Sequence, residues 1–145
     1  MKPLICLLLS AFMLASPEWH NSLDEAKQIA KKEHKYILLS FSGSDWCGPC
    51  IRMHKEIFGS DAFSSLASSN LVLVNADFPR LKKNQLSKKQ QDINNAMADQ
   101  YNSQGAFPYT VLLDAEGKIL KSWDGLPTSK PEEFCSEVKE AIGVH

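Results

Sequence analysis

Apolar residues occur along the chain in two patterns: continuous runs, which are typical of buried strands, and a spacing of three and four positions, which is typical of helices. Continuous apolar runs at 36–41 and 71–76 predict strands buried on both faces, as in a sheet covered by helices. Two further segments, 109–113 and 118–123, flank the turn residues 114–117 and predict an antiparallel pair. These four predicted strands indicate one β-sheet that is covered by helices.

Helices are predicted where apolar residues recur three and four positions apart. Ser22 followed by Glu25 matches a capping box at the start of the first helix. Further helices are predicted to begin after Cys47, at Ser60, at Asp92 and at Pro131, and Gly143 can end the last one. In the helix after Cys47, one face should carry Cys47, Cys50, Ile51, His54, Ile57 and Phe58. The predicted order is helix–strand–helix–strand–helix–strand–strand–helix, an α/β arrangement without an internal repeat.

Composition narrows the class of protein. The chain has 145 residues, of which 43% are hydrophobic and 23% charged, which indicates one globular domain and not a disordered chain. Its 16 basic and 17 acidic residues give a net charge of −1, which excludes an overall basic footprint for nucleic acid. Four cysteines are too few for a disulfide-stapled miniprotein, so each needs its own explanation.

The N-terminal segment predicts export. Lys2 is followed by a nearly continuous apolar stretch at 4–15, about 18 Å long as a helix and too short for a bilayer core of about 30 Å. We interpret residues 1–16 as a signal peptide with an uncertain cleavage site, which leaves 17–145 as the folded domain and removes Cys6. An uncleaved anchor and a buried helix are the alternatives.

The motif Cys47-Gly48-Pro49-Cys50 indicates redox chemistry. Unpaired N–H groups at a helix start stabilise an anion and lower the pKa of the first thiol from about 8.5 toward about 7. The Cys47 thiolate can attack a disulfide, and Cys50 can then displace the product from the mixed disulfide. Pro49 lacks an N–H and suits an early helical position.

A zinc site and an incidental structural disulfide are the alternatives for this motif. Structural zinc needs four ligands, usually with a second close pair. Cys135 and the four histidines offer no such pair at motif spacing. We therefore expect no metal and no cofactor, and interpret Cys135, on the inner face of the last helix, as a buried inert thiol.

The sequence from Trp46 to Cys50 is identical to the thioredoxin active-site motif, and residues 18–142 resemble the thioredoxin superfamily in element order. The resemblance implies a thioredoxin fold: a central mixed β-sheet flanked by helices, an N-terminal strand that is short or absent, and a helical insertion before the cis-proline strand. It also implies a cis Pro108 facing the cysteines, with backbone groups of Phe107 offered to substrate and Trp46 bordering the site.

A finer resemblance is to secreted bacterial thioredoxin-like proteins near the C-terminal domain of the membrane thiol–disulfide interchange reductase, carried by residues 19–26, 41–47 and 57–63. The chain departs from thioredoxin at two positions. Ser40 and Leu73 stand where thioredoxin has a buried Asp and a Lys that assist proton transfer to the resolving cysteine. Asp45 lies too near the surface turn to replace them, while His54 either tunes the site or packs in the helix.

These features predict a periplasmic thiol–disulfide oxidoreductase that reduces or isomerises protein disulfides. Such a protein would be a monomer and would need a membrane-bound electron donor. The basic segment at 80–89, within a polar insertion at 78–96, carries five basic and no acidic residues. It either docks an acidic partner, covers the active site, or is simply solvated. A thioredoxin-fold binding or escort module using this segment and a thiol metal carrier are the functional alternatives.

Overall fold

A computed structural model of the protein describes residues 16–145, and the predicted signal peptide lies outside them except for Ser16. The chain forms a five-stranded mixed sheet in the order β1-β3-β2-β4-β5. The strands are β1 (Trp19–His20), β2 (Tyr36–Ser42), β3 (Leu71–Asp77), β4 (Tyr109–Leu113) and β5 (Ile119–Asp124). The α-helices are α1 (Leu23–Glu33), α2 (Gly48–Arg52), α3 (Asp61–Asn70), α4 (Lys88–Tyr101) and α5 (Pro131–Ile142).

Strand β2 lies at the centre of the sheet and carries the chain to the active-site motif. It pairs in parallel with β3 and antiparallel with β4, while β5 adds an antiparallel edge. The short strand β1 pairs in parallel with β3 at the other edge, as expected for a reduced N-terminal strand. The predicted mixed sheet is therefore confirmed.

Alternate residues of β2 enter two different cores. Leu38 faces the cluster built from α3 and α5, with Phe63 and Phe134 at its centre. Leu39 faces the opposite cluster, which contains residues of α1 and α4. Because a strand turns successive side chains to opposite faces, the near-continuous apolar run of β2 follows from burial on both sides. Among residues 16–145, no helix is long and apolar enough to cross a membrane.

The predicted helix caps at Ser22 and Ser60 are confirmed, because their hydroxyl oxygens accept the N–H groups of Glu25 and Phe63. The predicted start of α4 at Asp92 is wrong by four residues. This helix begins at Lys88, where the Ser87 hydroxyl accepts the N–H of Gln90. Serine followed three positions later by glutamine is itself a capping signal, but the polar composition of the segment obscured it.

The helix after Cys47 does not present the single face predicted from its sequence. Ile51 is 49% exposed, whereas Met53 is fully buried. Cys50 is buried, and Met53 and Ile57 follow it three and seven positions later on the same face, whereas Ile51 is the residue directly after Cys50 and points away from that face. The α-helical turn of α2 continues directly into a π-helical segment, Met53–Ile57.

Candidate active site

The two motif cysteines form a disulfide at the first turn of α2, with their Cα atoms 5.2 Å apart. Cys47 is the N-cap residue, and its sulfur accepts a hydrogen bond from the N–H of Cys50 at 3.3 Å. Cys47 is 5% exposed and Cys50 1%. The same N–H is placed to stabilise a Cys47 thiolate once the disulfide is reduced.

The turn before the motif depends on a glycine at position 43. The carbonyl of Gly43 accepts the N–H groups of Trp46 and Cys47, at 3.3 and 2.9 Å. A Cβ atom at position 43 would overlap the Trp46 indole, so only glycine leaves room for the ring. Gly43 therefore sets where Trp46 lies beside the disulfide.

The Trp46 side chain joins two loops that are distant in sequence. Its Nε1 donates to the carbonyl of Phe78 at 2.7 Å. Its ring meets the Phe107 ring edge-on, with centroids 5.5 Å apart, and Phe107 meets Phe78 at the same separation. These contacts place Trp46, which the resemblance implied would border the site, against the loop that contains Pro108.

The loop before β4 contains a cis peptide bond between Phe107 and Pro108, as the resemblance implied. Asn102, which is buried at the end of α4, holds this loop through two hydrogen bonds to Ala106. The carbonyl of Pro108 accepts the N–H of Gly125 at 2.9 Å. The sequence does not single out Asn102, because an asparagine after a helix carries no mark of the loop that it holds.

Asp45 anchors the segment that follows β3. Its carboxylate accepts the N–H groups of Arg80 and Leu81, both at 2.9 Å, and the side-chain amide of Asn84 at 3.0 Å. These hydrogen bonds, first that from the N–H of Arg80, hold the pKa of the Asp45 carboxyl below its usual range. Asp45 thus organises this segment, a role that its place in a surface turn did not suggest.

An open cavity of about 410 Å³ lies on the Cys50 side of the disulfide. Its lining residues are Ser42, Ser44, Cys50, Ile51, His54, Lys55 and Asn75. Two of its polar atoms, His54 Nε2 and Asn75 Oδ1, are buried and have no hydrogen-bond partner among residues 16–145.

His54 combines packing with a polar atom at this cavity. Its ring packs against those of Trp19 and Phe58, at centroid distances of 5.2 and 5.1 Å, and these two rings also contact each other. Burial lowers the pKa of His54, and the negative charge of Asp77 opposes this shift with a smaller effect. The imidazole is therefore neutral at neutral pH.

The two departures from thioredoxin leave the sheet under the motif uncharged at those positions. Ser40 is buried on β2, and its hydroxyl has no partner in the described part of the chain. Leu73 is buried on β3 among apolar residues. Neither side chain can supply the carboxylate or ammonium group that thioredoxin has there.

The remaining described cysteine lies apart from the motif. Cys135 lies on the inner face of α5 and is a free thiol buried in the core, as predicted. Burial raises its pKa to about 11, so it is protonated at neutral pH. Residues 16–145 contain no group of three or more His, Cys, Asp or Glu side chains arranged to hold a metal ion.

Comparison with known proteins places this arrangement in a family. Residues 23–142 match the family model described as a thioredoxin-like domain. The chain belongs to this family. It is 38% identical over 128 residues to the disulfide bond reductase DsbH of Chlamydia pneumoniae, an alignment covering 88% of the chain and 74% of the relative.

Solved structures agree with the assignment. A structure described as DsbH oxidoreductase is 37% identical, has a TM-score of 0.81, and the match covers 90% of this chain and 88% of that one. The C-terminal domain of DsbD from Neisseria meningitidis has a TM-score of 0.55 at 16% identity, covering 81% of this chain and 90% of that one. The second likeness shows the fold alone. With its family and its Cys47–Cys50 disulfide, the protein is a thiol–disulfide oxidoreductase.

Proposed function

We propose that the protein reduces or isomerises protein disulfides outside the cytoplasm, with Cys47 as the nucleophile and Cys50 as the resolving cysteine. The observation that carries this proposal is the hydrogen bond from the Cys50 N–H to the Cys47 sulfur at the first turn of α2. Cys47 is also the more exposed of the two cysteines. Both features favour Cys47 as the sulfur that attacks a substrate disulfide. They also favour it as the sulfur that a donor attacks in the Cys47–Cys50 disulfide.

In the reductive direction, the Cys47 thiolate attacks one sulfur of the substrate disulfide and expels the other as a thiolate. The mixed disulfide is then attacked by the Cys50 sulfur, which forms the Cys47–Cys50 bond and releases the second substrate thiolate. The substrate gains two electrons, the protein loses two, and the proton of the Cys50 thiol leaves to solvent or to the product. Gly48 and Pro49 keep the two sulfurs within bonding distance on one short turn.

Substrate positioning is assigned to the surface formed by Trp46, Phe107 and Pro108. The contact of the Trp46 and Phe107 rings at 5.5 Å supports this assignment, because it joins the motif to the proline loop. Backbone groups of Phe107 would bind an extended substrate segment, and the indole would border the cysteine under attack. The rigid attachment of the loop through Asn102 serves the same end.

The direction and the place of action rest on the sequence and on the relatives. A Gly-Pro pair between the cysteines is typical of thioredoxin-like potentials of about −270 mV, against about −120 mV for a strong oxidant. The similar DsbH is named a disulfide bond reductase. The apolar segment 4–15 supports export, with residues 1–16 removed and 17–145 acting as a monomeric periplasmic domain.

An exported reductase needs its own source of electrons, because cytosolic thiol pools do not reach it. We therefore include a membrane-bound electron donor in the proposal. The donor would reduce the Cys47–Cys50 disulfide by the reverse of the same exchange, supplying the two electrons that the protein lost to substrate while its own thiols are oxidised to a disulfide. The protein disulfides of exported proteins are the substrate class.

The test is reduction of insulin by the wild-type protein with dithiothreitol as donor, compared with Cys47→Ser. Turnover by the wild type that Cys47→Ser abolishes supports the proposal, and absence of wild-type turnover contradicts it. The reduction potential of the Cys47–Cys50 couple decides the direction. A value near −270 mV is expected, whereas a value near −120 mV would make the protein an oxidant.

A binding or escort module remains the second candidate, favoured by the firmly held basic segment after β3. Cys50→Ser distinguishes the two functions, because it cannot resolve a mixed disulfide. Substrates trapped covalently on Cys47 support the enzyme. Partners held without a disulfide, and lost when the basic residues at 80–89 are neutralised, support the module.

A further inference from the structure

The basic segment after β3 forms a charged patch of three residues, Arg80, Lys82 and Lys83, which we call the basic rim. All three side chains are exposed. Within residues 16–145, none of them takes part in an ion pair, whereas Lys88 further along pairs with Asp92. The rim therefore presents three positive charges that the described part of the protein does not neutralise.

The basic rim is held firmly, unlike an ordinary solvated loop. Besides the three hydrogen bonds to Asp45, the side-chain amide of Gln85 donates to the carbonyl of Pro79 at 3.0 Å. A 3₁₀ turn, Lys82–Asn84, carries both lysines. A charged surface that is fixed before binding loses little conformational entropy when a partner docks.

Arg80 connects the rim to the active site. The guanidinium carbon of Arg80 sits 3.6 Å from the centre of the Trp46 ring, a stacked cation–π geometry. Trp46 is the residue next to Cys47, and its ring also contacts Phe107. A polypeptide whose cysteine reaches Cys47 must therefore pass close to the Arg80 charge.

We propose that the basic rim recognises acidic residues that flank the disulfide of a polypeptide substrate. This inference rests on the function proposed above and specifies its substrate class. Charge complementarity identifies the partner: the Arg80 cation on the Trp46 ring, with two exposed lysines on the adjoining 3₁₀ turn, attracts carboxylates and repels lysine-rich segments. The exposed Leu81, at 48% exposure, offers an apolar contact within the same segment.

The test uses three peptides that share one internal disulfide and differ only in the residues beside it: Glu, Gln or Lys. The measurement is kcat/KM for their reduction, at low salt and at 1 M salt. We expect the wild type to favour the Glu peptide over the Gln peptide about fivefold or more at low salt, with the Lys peptide lowest. The preference should vanish at 1 M salt, where the screening length falls to about 3 Å.

The matched variants each remove three positive charges. Arg80→Gln/Lys82→Gln/Lys83→Gln should bring the Glu-to-Gln ratio close to one. The control Lys31→Gln/Lys32→Gln/Lys139→Gln neutralises exposed lysines of α1 and α5 and should leave the ratio unchanged. Thermal unfolding checks that both variants fold.

The outcomes separate this inference from the proposed function. Equal reduction of all three peptides by the wild type overturns the rim and leaves the reductase intact. A preference that survives in the rim variant, or that the control also loses, equally overturns it. Reduction of none of the peptides contradicts the proposed function and this inference together.

Discussion

Asn102 makes two hydrogen bonds to the backbone of Ala106: its Nδ2 donates to the Ala106 carbonyl at 2.9 Å, and its Oδ1 accepts the Ala106 N–H at 3.0 Å. One buried side chain thereby satisfies both backbone groups at the start of the loop that carries Phe107 and Pro108. Gly105 in the same loop has a φ of 67°, a left-handed conformation that glycine adopts without steric cost. The loop geometry is set at the end of α4, outside the motif.

The first prediction concerns these two hydrogen bonds between Asn102 and Ala106. Asn102→Ala leaves the N–H and carbonyl of Ala106 without their partner and should lower the free energy of unfolding by about 1–3 kcal/mol. Reduction of insulin should fall as well, because the loop no longer holds Phe107 against Trp46. Urea unfolding and the insulin assay measure the two effects. Asn102→Asp, which keeps the acceptor and loses the donor, should give intermediate values. Wild-type stability and wild-type insulin reduction in both variants would contradict this role of Asn102.

The second prediction tests the space beside Trp46. Gly43→Ala introduces a Cβ that overlaps the indole and should cost about 1–3 kcal/mol of stability, because the ring or the turn must move. Gly48→Ala is the matched control, since a Cβ there meets no atom within 4 Å. Thermal unfolding of both variants is the measurement. Equal melting temperatures would show that Trp46 shifts without cost.

The third prediction concerns the anchor of the basic rim. Asp45→Ala removes the acceptor for Arg80, Leu81 and the Asn84 side chain, so the segment should open more often. Trypsin should then cleave after Arg80, Lys82 or Lys83 several times faster than in the wild type. Mass spectrometry of early digests identifies the cut.

Asp45→Asn is the graded control, because it retains one acceptor oxygen. Its cleavage rate should lie between those of the wild type and Asp45→Ala. Cleavage after Lys31 or Lys32 in α1 gives the internal reference. A rate increase that is equal at both places would indicate general destabilisation and not release of the rim.

The fourth prediction is a dependence of stability on pH through His54. Burial lowers its pKa in the folded protein, while the unfolded chain has an ordinary value of about 6.5. Protonation therefore favours the unfolded state. The stability that His54 contributes is complete above about pH 6.5 and is lost as the pH falls through the lowered pKa.

His54→Phe keeps a ring packed against Trp19 and Phe58 and removes the titrating group. The free energy of unfolding of this variant, measured by urea between pH 8 and 5, should decline less on the acid side than that of the wild type. The carboxylate of Asp77 and the ammonium of Lys55 stay in place in both proteins. Parallel curves for the two proteins would contradict the assignment.

Local patterns in the sequence predicted much of the fold. The apolar runs of β2 and β3 and the caps Ser22 and Ser60 each depend on neighbouring residues, and all four were confirmed. The Cys47–Cys50 spacing indicated redox chemistry for a similar reason, since one helical turn brings the two sulfurs together. The start of α4 is also marked locally, by Ser87 and Gln90, although the predicted start lay at Asp92.

The sequence by itself therefore determined the order of elements and the reactive pair, because hydrophobic periodicity and short-range geometry act within a few residues. The tertiary structure alone decided what surrounds that pair. Asp45 finds Arg80 and Leu81 across 35 residues or more, and the Trp46 indole finds the Phe78 carbonyl across 32. Such contacts leave no periodic trace, since each needs the sheet to assemble before its partners meet. The reactive pair depends on neighbouring residues, whereas the aromatic and charged surface beside it forms only when β2, β3 and the proline loop come together.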